Sequence, residues 1–87
     1  MAKYKLVYKT PAVKQIQKLT PQIRKRLKTK LECFISQTDP LEFCEPLTKH
    51  ADAQYRFRVG DYRILFDIEK VNLVILFVQH RRDFYKK

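Results

Sequence analysis

The amino-acid sequence predicts an α+β domain in which an antiparallel-dominated sheet carries a two-helix hairpin on one face. Two observations carry this prediction. Two helix-start signals follow each other closely near the N-terminus, and alternating residue patterns mark one strand before the helices and three strands after them. The predicted order is β-α-α-β-β-β. The 87 residues suit a single domain, residues 1–87, with one modest core.

The first strand and the two helices occupy the N-terminal part of the chain. A strand is predicted over residues 3–9, where tyrosine and leucine alternate with lysine. Thr10 before Pro11, and Thr20 before Pro21, each predict a hydroxyl N-cap followed by proline at the first helical position. Because almost no linker separates the two helices, an antiparallel hairpin is expected. The apolar stripe of the second helix comprises Ile23, Leu27, Leu31, Phe34 and Ile35.

The remaining strands lie in the C-terminal half. Residues 40–53 contain two prolines and little periodicity, so an irregular segment is expected there. Three strands follow, at about residues 54–59, 62–68 and 73–79.

A hairpin turn at Gly60-Asp61 predicts a cluster of arginines. In that hairpin Arg58 faces Arg63, and because opposed residues share a face, Arg56 joins them. Like charges placed opposite each other destabilise a sheet by up to about 1 kcal/mol. The arrangement therefore predicts an anion-binding site. The alternative is that the arginines only solvate an exposed sheet face.

The register of the last two strands is predicted from their turn. If Ile68 pairs with Leu73, then Leu65 meets Leu76, and His80 lies on the arginine face. The opposite face becomes the apolar wall on which the helices pack. That wall is predicted to contain Tyr55, Phe57, Val59, Tyr62, Ile64, Phe66, Ile68, Leu73, Ile75 and Phe77.

Charge is distributed unevenly along the chain, whose formal net charge is +10. Residues 1–31 contain no acidic residue, whereas basic and acidic residues balance from Glu32 onward. The positive electrostatic field of this N-terminal segment favours nucleic acid or an acidic protein as partner. The alternative is a solvated, solubilising helix face. The cations expected to contact RNA are Arg24, Lys25, Arg26, Lys28, Lys30 and Arg82.

The residue types near the arginines suit phosphate chemistry. Arginine binds phosphate through a planar fork and stays charged, and Arg81 of the tail would add to the cluster. His80 and Tyr85 are candidate proton-transfer groups. Their structural alternatives are a hydrogen bond at a strand end for His80 and packing on the core edge for Tyr85. Because an RNA 2′-OH is an internal nucleophile, a ribonuclease without metal is chemically possible.

The sequence argues against several other classes of protein. The histidines and acidic residues show no metal-ligand spacing, and a single glycine excludes a glycine-rich phosphate loop. Cys33 and Cys44 are expected to be reduced thiols of a cytosolic protein. The N-terminus lacks the apolar stretch of a signal peptide, and no apolar run approaches the roughly 20 residues of a membrane span.

The segment Tyr55–Ile64, YRFRVGDYRI, together with the tail His80–Tyr85, HRRDFY, resembles the RelE/ParE superfamily of type II toxin–antitoxin toxins. The resemblance covers nearly the whole chain, because its length and element order also match. It implies a metal-independent, cofactor-free endoribonuclease of the RelE type, which cuts mRNA in the ribosomal A site. Cleavage by 2′-OH attack would leave a 2′,3′-cyclic phosphate and stop translation.

The resemblance also implies which residues form the site. Basic residues of the second and third strands and a tyrosine near the C-terminus carry the chemistry in RelE-type members. Arg56 and Arg58 are often lysines in the family, and arginine at both positions preserves the charge but argues against either acting as general acid or base. The matching positions here are Arg56, Arg58, Arg63, Arg81 and Tyr85, with His80 matching a histidine found in many members.

The partners implied by the resemblance are a cognate antitoxin, the ribosome and mRNA, with DNA bound only through the antitoxin complex. Two other functions stay open at this point. ParE-type members have the same fold and block DNA gyrase without ribonuclease chemistry. A non-catalytic member would only bind nucleic acid or antitoxin.

Overall fold

A computed structural model of the chain describes residues 4–47, 53–80 and 82. Its central feature is a five-stranded sheet formed by β1 (Lys5–Tyr8), β2 (Glu45–Pro46), β3 (Tyr55–Val59), β4 (Tyr62–Glu69) and β5 (Asn72–His80). The strand order is β1-β5-β4-β3-β2. Only the β1–β5 pair is parallel among these strands. The predicted α+β class is confirmed.

The sheet has one strand more than predicted. The two-residue strand β2 lies in the segment expected to be irregular, where a 3₁₀ turn, Pro40–Phe43, precedes it. Glu45 pairs with Arg56 and Pro46 with Tyr55 at the edge of the sheet. An edge position tolerates Pro46, which has no backbone N–H to donate.

Two helices connect β1 to the rest of the sheet: α1 (Thr10–Gln17) and α2 (Pro21–Ile35). The predicted cap of α2 is confirmed, because the Thr20 side chain accepts a hydrogen bond from the Ile23 backbone N–H at 3.4 Å. The predicted cap of α1 is wrong. Its N-cap is Lys9, which makes no side-chain cap. The backbone of Lys9 is still extended and bonded to β5 through Ile75, so the helix begins directly where the strand ends.

Both helices pack on one face of the sheet. Ala12 of α1 and Leu27, Leu31 and Phe34 of α2 join a buried cluster with the inward residues of the strands. The sheet contributes Val59, Ile64, Phe66, Leu73, Ile75 and Val78 to this cluster. Each large side chain removed from water contributes about 1.5–3 kcal/mol, so this cluster is the main source of stability.

The β3–β4 hairpin forms in the predicted register. Arg58 pairs with Arg63, and Val59 pairs with Tyr62. Gly60 in the turn has a φ of 57°, a conformation that favours glycine. The prediction for this hairpin is therefore confirmed.

A β-bulge changes the second half of the β4–β5 pair. Ile68 pairs with Leu73 as predicted, but Leu65 pairs with Phe77, not with Leu76. The register shift places one extra residue, Leu76, on β5.

The bulge reverses the faces of the residues beyond it. Val78 pairs with Ile64 and is buried in the core, whereas Phe77 lies on the other face. His80 pairs with Tyr62 and so lies on the helix side of the sheet. The predictions that Phe77 belongs to the apolar wall and that His80 shares the arginine face are wrong for this reason.

Within the described residues, neither helix has the length and hydropathy needed to cross a membrane.

Candidate functional site

Three arginines on the sheet face opposite the helices form the candidate site. Arg56 and Arg58 alternate with inward-facing residues of β3, and Arg63 lies directly opposite Arg58 on β4. Arg58 is exposed, and the other two are half-buried. We call Arg56, Arg58 and Arg63 the arginine cluster.

Glu45 provides a carboxylate to this cluster. Its Oε2 accepts a hydrogen bond from Arg56 Nη2, and the two side chains form an ion pair across β2 and β3. The hydrogen bond and charge of Arg56 lower the pKa of Glu45, and the charges of Arg58 and Arg63 lower it further. The charges of all three arginines therefore act on one carboxylate.

Sequence reasoning missed Glu45 as a member of the site. Only the pairing of β2 with β3 brings it to Arg56, and a two-residue strand leaves no periodic pattern. The dipeptide Glu45-Pro46 therefore carried no signal that could have placed it.

The arrangement suits an anion with several oxygens. Guanidinium groups donate in a fork that matches phosphate, and a cluster of them stabilises charge that develops on phosphate oxygens. Glu45 already accepts a hydrogen bond from one of these guanidinium groups, that of Arg56. A phosphate that binds Arg56 must compete with this carboxylate.

His80 lies apart from the arginine cluster. Its ring contacts Tyr62 edge-on, with centroids 5.0 Å apart, and its Nδ1 accepts a hydrogen bond from the Arg82 backbone N–H at 3.1 Å. It lines a cleft of about 190 Å³ between α2 and the β3–β4 turn. The other lining residues are Ile23, Arg26, Leu27, Val59, Asp61 and Tyr62.

The predicted RNA-binding cations form a second basic region. All five on α2 are exposed, as is Arg82. Arg26 turns toward the β3–β4 turn, where its guanidinium lies 3.4 Å from the point that a Cβ on Gly60 would occupy. Because α2 packs on the helix side of the sheet, it lies across the sheet from the arginine cluster, and the Arg26 side chain reaches the turn that joins β3 and β4. The five cations of α2 are Arg24, Lys25, Arg26, Lys28 and Lys30.

Two of the predicted site residues, Arg81 and Tyr85, lie outside the described residues. Within residues 4–47, 53–80 and 82, no three His, Cys, Asp or Glu side chains are grouped so that they could hold a metal ion.

Comparison with known proteins identifies relatives along almost the whole chain. A family model described as the ParE toxin of type II toxin-antitoxin system, parDE, matches residues 6–85. The Toxin RelG of Mycobacterium tuberculosis is 31% identical over 86 residues, which cover 97% of this chain and 98% of that protein.

Solved structures share the fold. The toxin-antitoxin complex RelBE2 of Mycobacterium tuberculosis contains a chain that is 29% identical, with a TM-score of 0.72, over 93% of this chain and 94% of that one. The RelB-RelE antitoxin-toxin complex of Methanococcus jannaschii contains one that is 25% identical, with a TM-score of 0.67, over 91% and 94%. The family match and these similarities, which span the sheet and both helices, place the chain in the RelE/ParE superfamily of type II toxin–antitoxin toxins.

Proposed function

We propose that this toxin is a metal-independent endoribonuclease that cuts mRNA on the ribosome and thereby stops translation. The observation that carries the proposal is the arginine cluster with its carboxylate, Glu45. Opposed arginines on an exposed sheet face are costly without an anion to bind, and the phosphodiester of RNA is such an anion.

In the proposed reaction, the RNA 2′-oxygen attacks the adjacent phosphorus. The 2′-OH loses its proton to a base, the bond from phosphorus to the 5′-oxygen breaks, and that oxygen takes up a proton. The products are a 2′,3′-cyclic phosphate and a 5′-OH. Arg58 and Arg63 bind the phosphate oxygens and stabilise the charge that grows in the transition state, and Arg81 supports the leaving-group side.

Three groups are candidates for the base: Tyr85, His80 and Glu45. The position of His80 on the helix side of the sheet argues against direct contact with a phosphate held by the arginine cluster. Glu45 lies in the cluster, but its lowered pKa makes it a weak base while Arg56 holds it. When phosphate takes over the Arg56 fork, the carboxylate loses its main partner and becomes more basic.

The proposed partners follow from the two basic regions. The exposed cations of α2 would contact ribosomal RNA, while the arginine cluster holds the scissile mRNA. The proposed neutralising partner is a cognate antitoxin, because solved relatives are toxin–antitoxin complexes. DNA would be bound only through the antitoxin complex, and the proposed location is the cytoplasm.

The second candidate function is inhibition of DNA gyrase. It is favoured by the family model, whose description names ParE, a branch with the same fold that blocks gyrase. This function needs no phosphate chemistry at the arginine cluster.

The test is inducible expression of the wild type and Arg63→Ala, with primer extension on a defined mRNA in a translating extract. We expect cuts within codons by the wild type and a loss of about 10²- to 10³-fold in cleavage rate for Arg63→Ala. Lys14→Ala removes an exposed cation of α1 outside both basic regions and serves as the matched control.

The outcomes separate the candidate functions. Growth arrest with intact mRNA and inhibited supercoiling would transfer the assignment to gyrase. If Arg63→Ala and Tyr85→Phe both cleaved mRNA as fast as the wild type, the proposed site would be contradicted. No arrest would identify a binding-only member.

A further inference from the structure

Two residues of β5, Phe77 and Gln79, lie on the face of the sheet that carries the arginine cluster, and the proposed reaction uses neither of them. Gln79 pairs with Arg63, and Arg63 pairs with Arg58, so a row of three polar side chains crosses β5, β4 and β3. Paired residues of antiparallel strands have Cβ atoms about 4.5–5.5 Å apart. The Gln79 side chain therefore begins directly beside a residue of the arginine cluster.

Phe77 belongs to the adjacent row on the same face. It pairs with Leu65, which pairs on its other side with Arg56. Successive rows on one face are two residues apart along each strand, a distance of about 7 Å. Leu65 is only 8% exposed, whereas Phe77 is half-buried. An aromatic ring near the arginine cluster therefore keeps part of its surface for contact with another molecule.

The β-bulge at Leu76 is what turns both side chains to this face. In a register without the bulge, the apolar Leu76 and Val78 would occupy the positions of Phe77 and Gln79. The strand beyond the bulge is held from α1, because Oε1 of the Gln15 side chain accepts a hydrogen bond from the Val78 backbone N–H at 2.7 Å. Bulges near functional sites commonly redirect a side chain in this way.

The two side chains suit a nucleobase of single-stranded RNA. An aromatic ring can stack on the face of any base. A side-chain amide has both a donor and an acceptor, so it matches a base edge that presents both. Within the part of the chain that the structure describes, the Gln79 amide makes no hydrogen bond and the Phe77 ring contacts no other ring. Both groups are therefore free to engage a base.

We propose that Phe77 and Gln79 form a base-binding subsite, which takes the base of a nucleotide adjoining the phosphate held by the arginine cluster. Phe77 stacks on the face of that base, and Gln79 hydrogen-bonds to its edge. The subsite rests on the proposed function in requiring that the arginine cluster binds the RNA backbone, but it does not depend on cleavage. It lets the toxin favour some bases beside the cut, which cations alone cannot do because phosphate carries no sequence information.

Oligonucleotides made of abasic spacers isolate the contribution of a single base. Each tetrahydrofuran spacer has a phosphate but neither a base nor a 2′-OH, so the chain binds cations and cannot be cut by 2′-OH attack. A second oligonucleotide of the same length contains one 2′-deoxyadenosine in the middle. Fluorescence anisotropy gives the affinity of the purified toxin for each, and the ratio of the two affinities measures what the base adds.

The ring of Phe77 should account for this ratio. We expect the wild type to bind the oligonucleotide with the base at least about fivefold more tightly than the abasic one. Phe77→Leu keeps the apolar bulk without the ring and should reduce the ratio to less than about twofold, whereas Phe77→Tyr keeps the ring and should keep the ratio. Tyr8→Leu, which removes a ring that is 36% exposed on the helix side, is the matched control. Circular dichroism and thermal unfolding check that each variant is folded.

The role of Gln79 is tested with each of the four bases at the middle position. Paired hydrogen bonds to a base edge discriminate by about fivefold or more, so the wild-type affinities should span at least that range. Gln79→Ala should bind all four within about twofold of each other, while the gain from stacking remains. Gln17→Ala changes an exposed glutamine of α1 on the helix side and should leave the range unchanged.

Several results would overturn the proposal. If the base adds nothing to wild-type affinity, or if its gain survives in Phe77→Leu, the base does not stack on Phe77. If Gln79→Ala keeps the full range among the four bases, Gln79 does not contact the base edge. Arg63→Ala should weaken binding of both oligonucleotides equally, and unchanged binding would contradict the phosphate site on which both proposals depend. Absence of mRNA cleavage with the base gain intact would contradict only the proposed function.

Discussion

At the residue scale, the ion pair between Glu45 and Arg56 makes pH a probe of the arginine cluster. The pKa of Glu45 is lower in the folded protein than in the unfolded chain, first because Arg56 donates a hydrogen bond to it. The pair therefore stabilises the fold fully above the usual glutamate pKa of about 4.3. This contribution is lost as pH falls through the lowered pKa.

Comparison of the wild type with Glu45→Gln isolates this contribution. The difference in midpoint of thermal unfolding is expected to be largest at pH 7 and to shrink as the pH falls below about 4.3, because all other carboxylates are common to both proteins. Melting curves followed by circular dichroism across this range provide the measurement. A difference that is the same at both ends would mean that the Glu45 charge does not contribute.

Glu45→Gln also separates binding from cleavage. Removal of the competing negative charge should strengthen binding of an RNA that carries a 2′-deoxy substitution at the cut site, because the Arg56 fork becomes available. Cleavage of ordinary RNA should decrease if the carboxylate accepts the 2′-OH proton. Glu69→Gln, at an exposed strand end, is the matched control. Unchanged binding and cleavage would remove Glu45 from the site.

Phe66 is the residue whose truncation should most weaken the core. Its side chain is fully buried, its ring meets Phe34 edge-on at 5.8 Å, and it stacks with Tyr55 at 5.5 Å. Phe66→Ala should lower the free energy of unfolding by about 3–5 kcal/mol. Phe43→Ala changes a side chain that is 56% exposed and should cost less than about 0.5 kcal/mol. Equilibrium urea unfolding measures the free energy of unfolding of both variants. An equal loss in the two variants would contradict the assigned core.

At the element scale, the sequence predicted those features of the sheet that a few neighbouring residues determine. The β3–β4 hairpin formed as expected because its turn residue, Gly60, and its alternating pattern act over a few residues. The bulge was not predicted because β5 is almost continuously apolar around Leu76 and Phe77. A shift of the pairing register by one residue therefore leaves the apolar pattern unchanged. His80 was therefore assigned to the wrong face, whereas Arg58 and Arg63 were assigned correctly.

The bulge predicts that β5 tolerates the deletion of one residue but not of two. Leu76 is surplus to the pairing, so its deletion leaves the pairs of Val78 with Ile64 and of His80 with Tyr62 unchanged. This variant should fold cooperatively, with a lower melting temperature because some apolar contact is lost. Deletion of Val74 together with Leu76 removes one residue more than the bulge can supply, so Val78 would move to the wrong face and the variant should not fold.

Amide hydrogen exchange of the two deletion variants would test this prediction. The variant without Leu76 should keep slow exchange along β4 and β5, and the variant without both Val74 and Leu76 should exchange rapidly throughout. Equal protection in the two variants would show that the pairing on either side of the bulge is not what determines the faces of β5.

At the scale of the whole molecule, the arginine cluster and the cations of α2 form two basic regions on the two sides of one sheet. Each cation that meets a phosphate of single-stranded RNA releases counterions, and it contributes about 0.7 to the slope of log affinity against log salt. The slope therefore counts contacts, and it can distinguish the arginine cluster from the cations of α2.

Two double variants with the same charge change make this comparison. Arg58→Gln with Arg63→Gln should reduce the salt slope for a short single-stranded RNA by about 1.4, because two phosphate contacts are lost. Lys25→Gln with Lys30→Gln should leave that slope nearly unchanged, because those cations lie across the sheet, yet it should weaken binding to ribosomes. The slopes come from fluorescence anisotropy in a series of potassium chloride concentrations. If both double variants lowered the RNA slope equally, the charge would act as one diffuse field and the division between the two faces would be wrong.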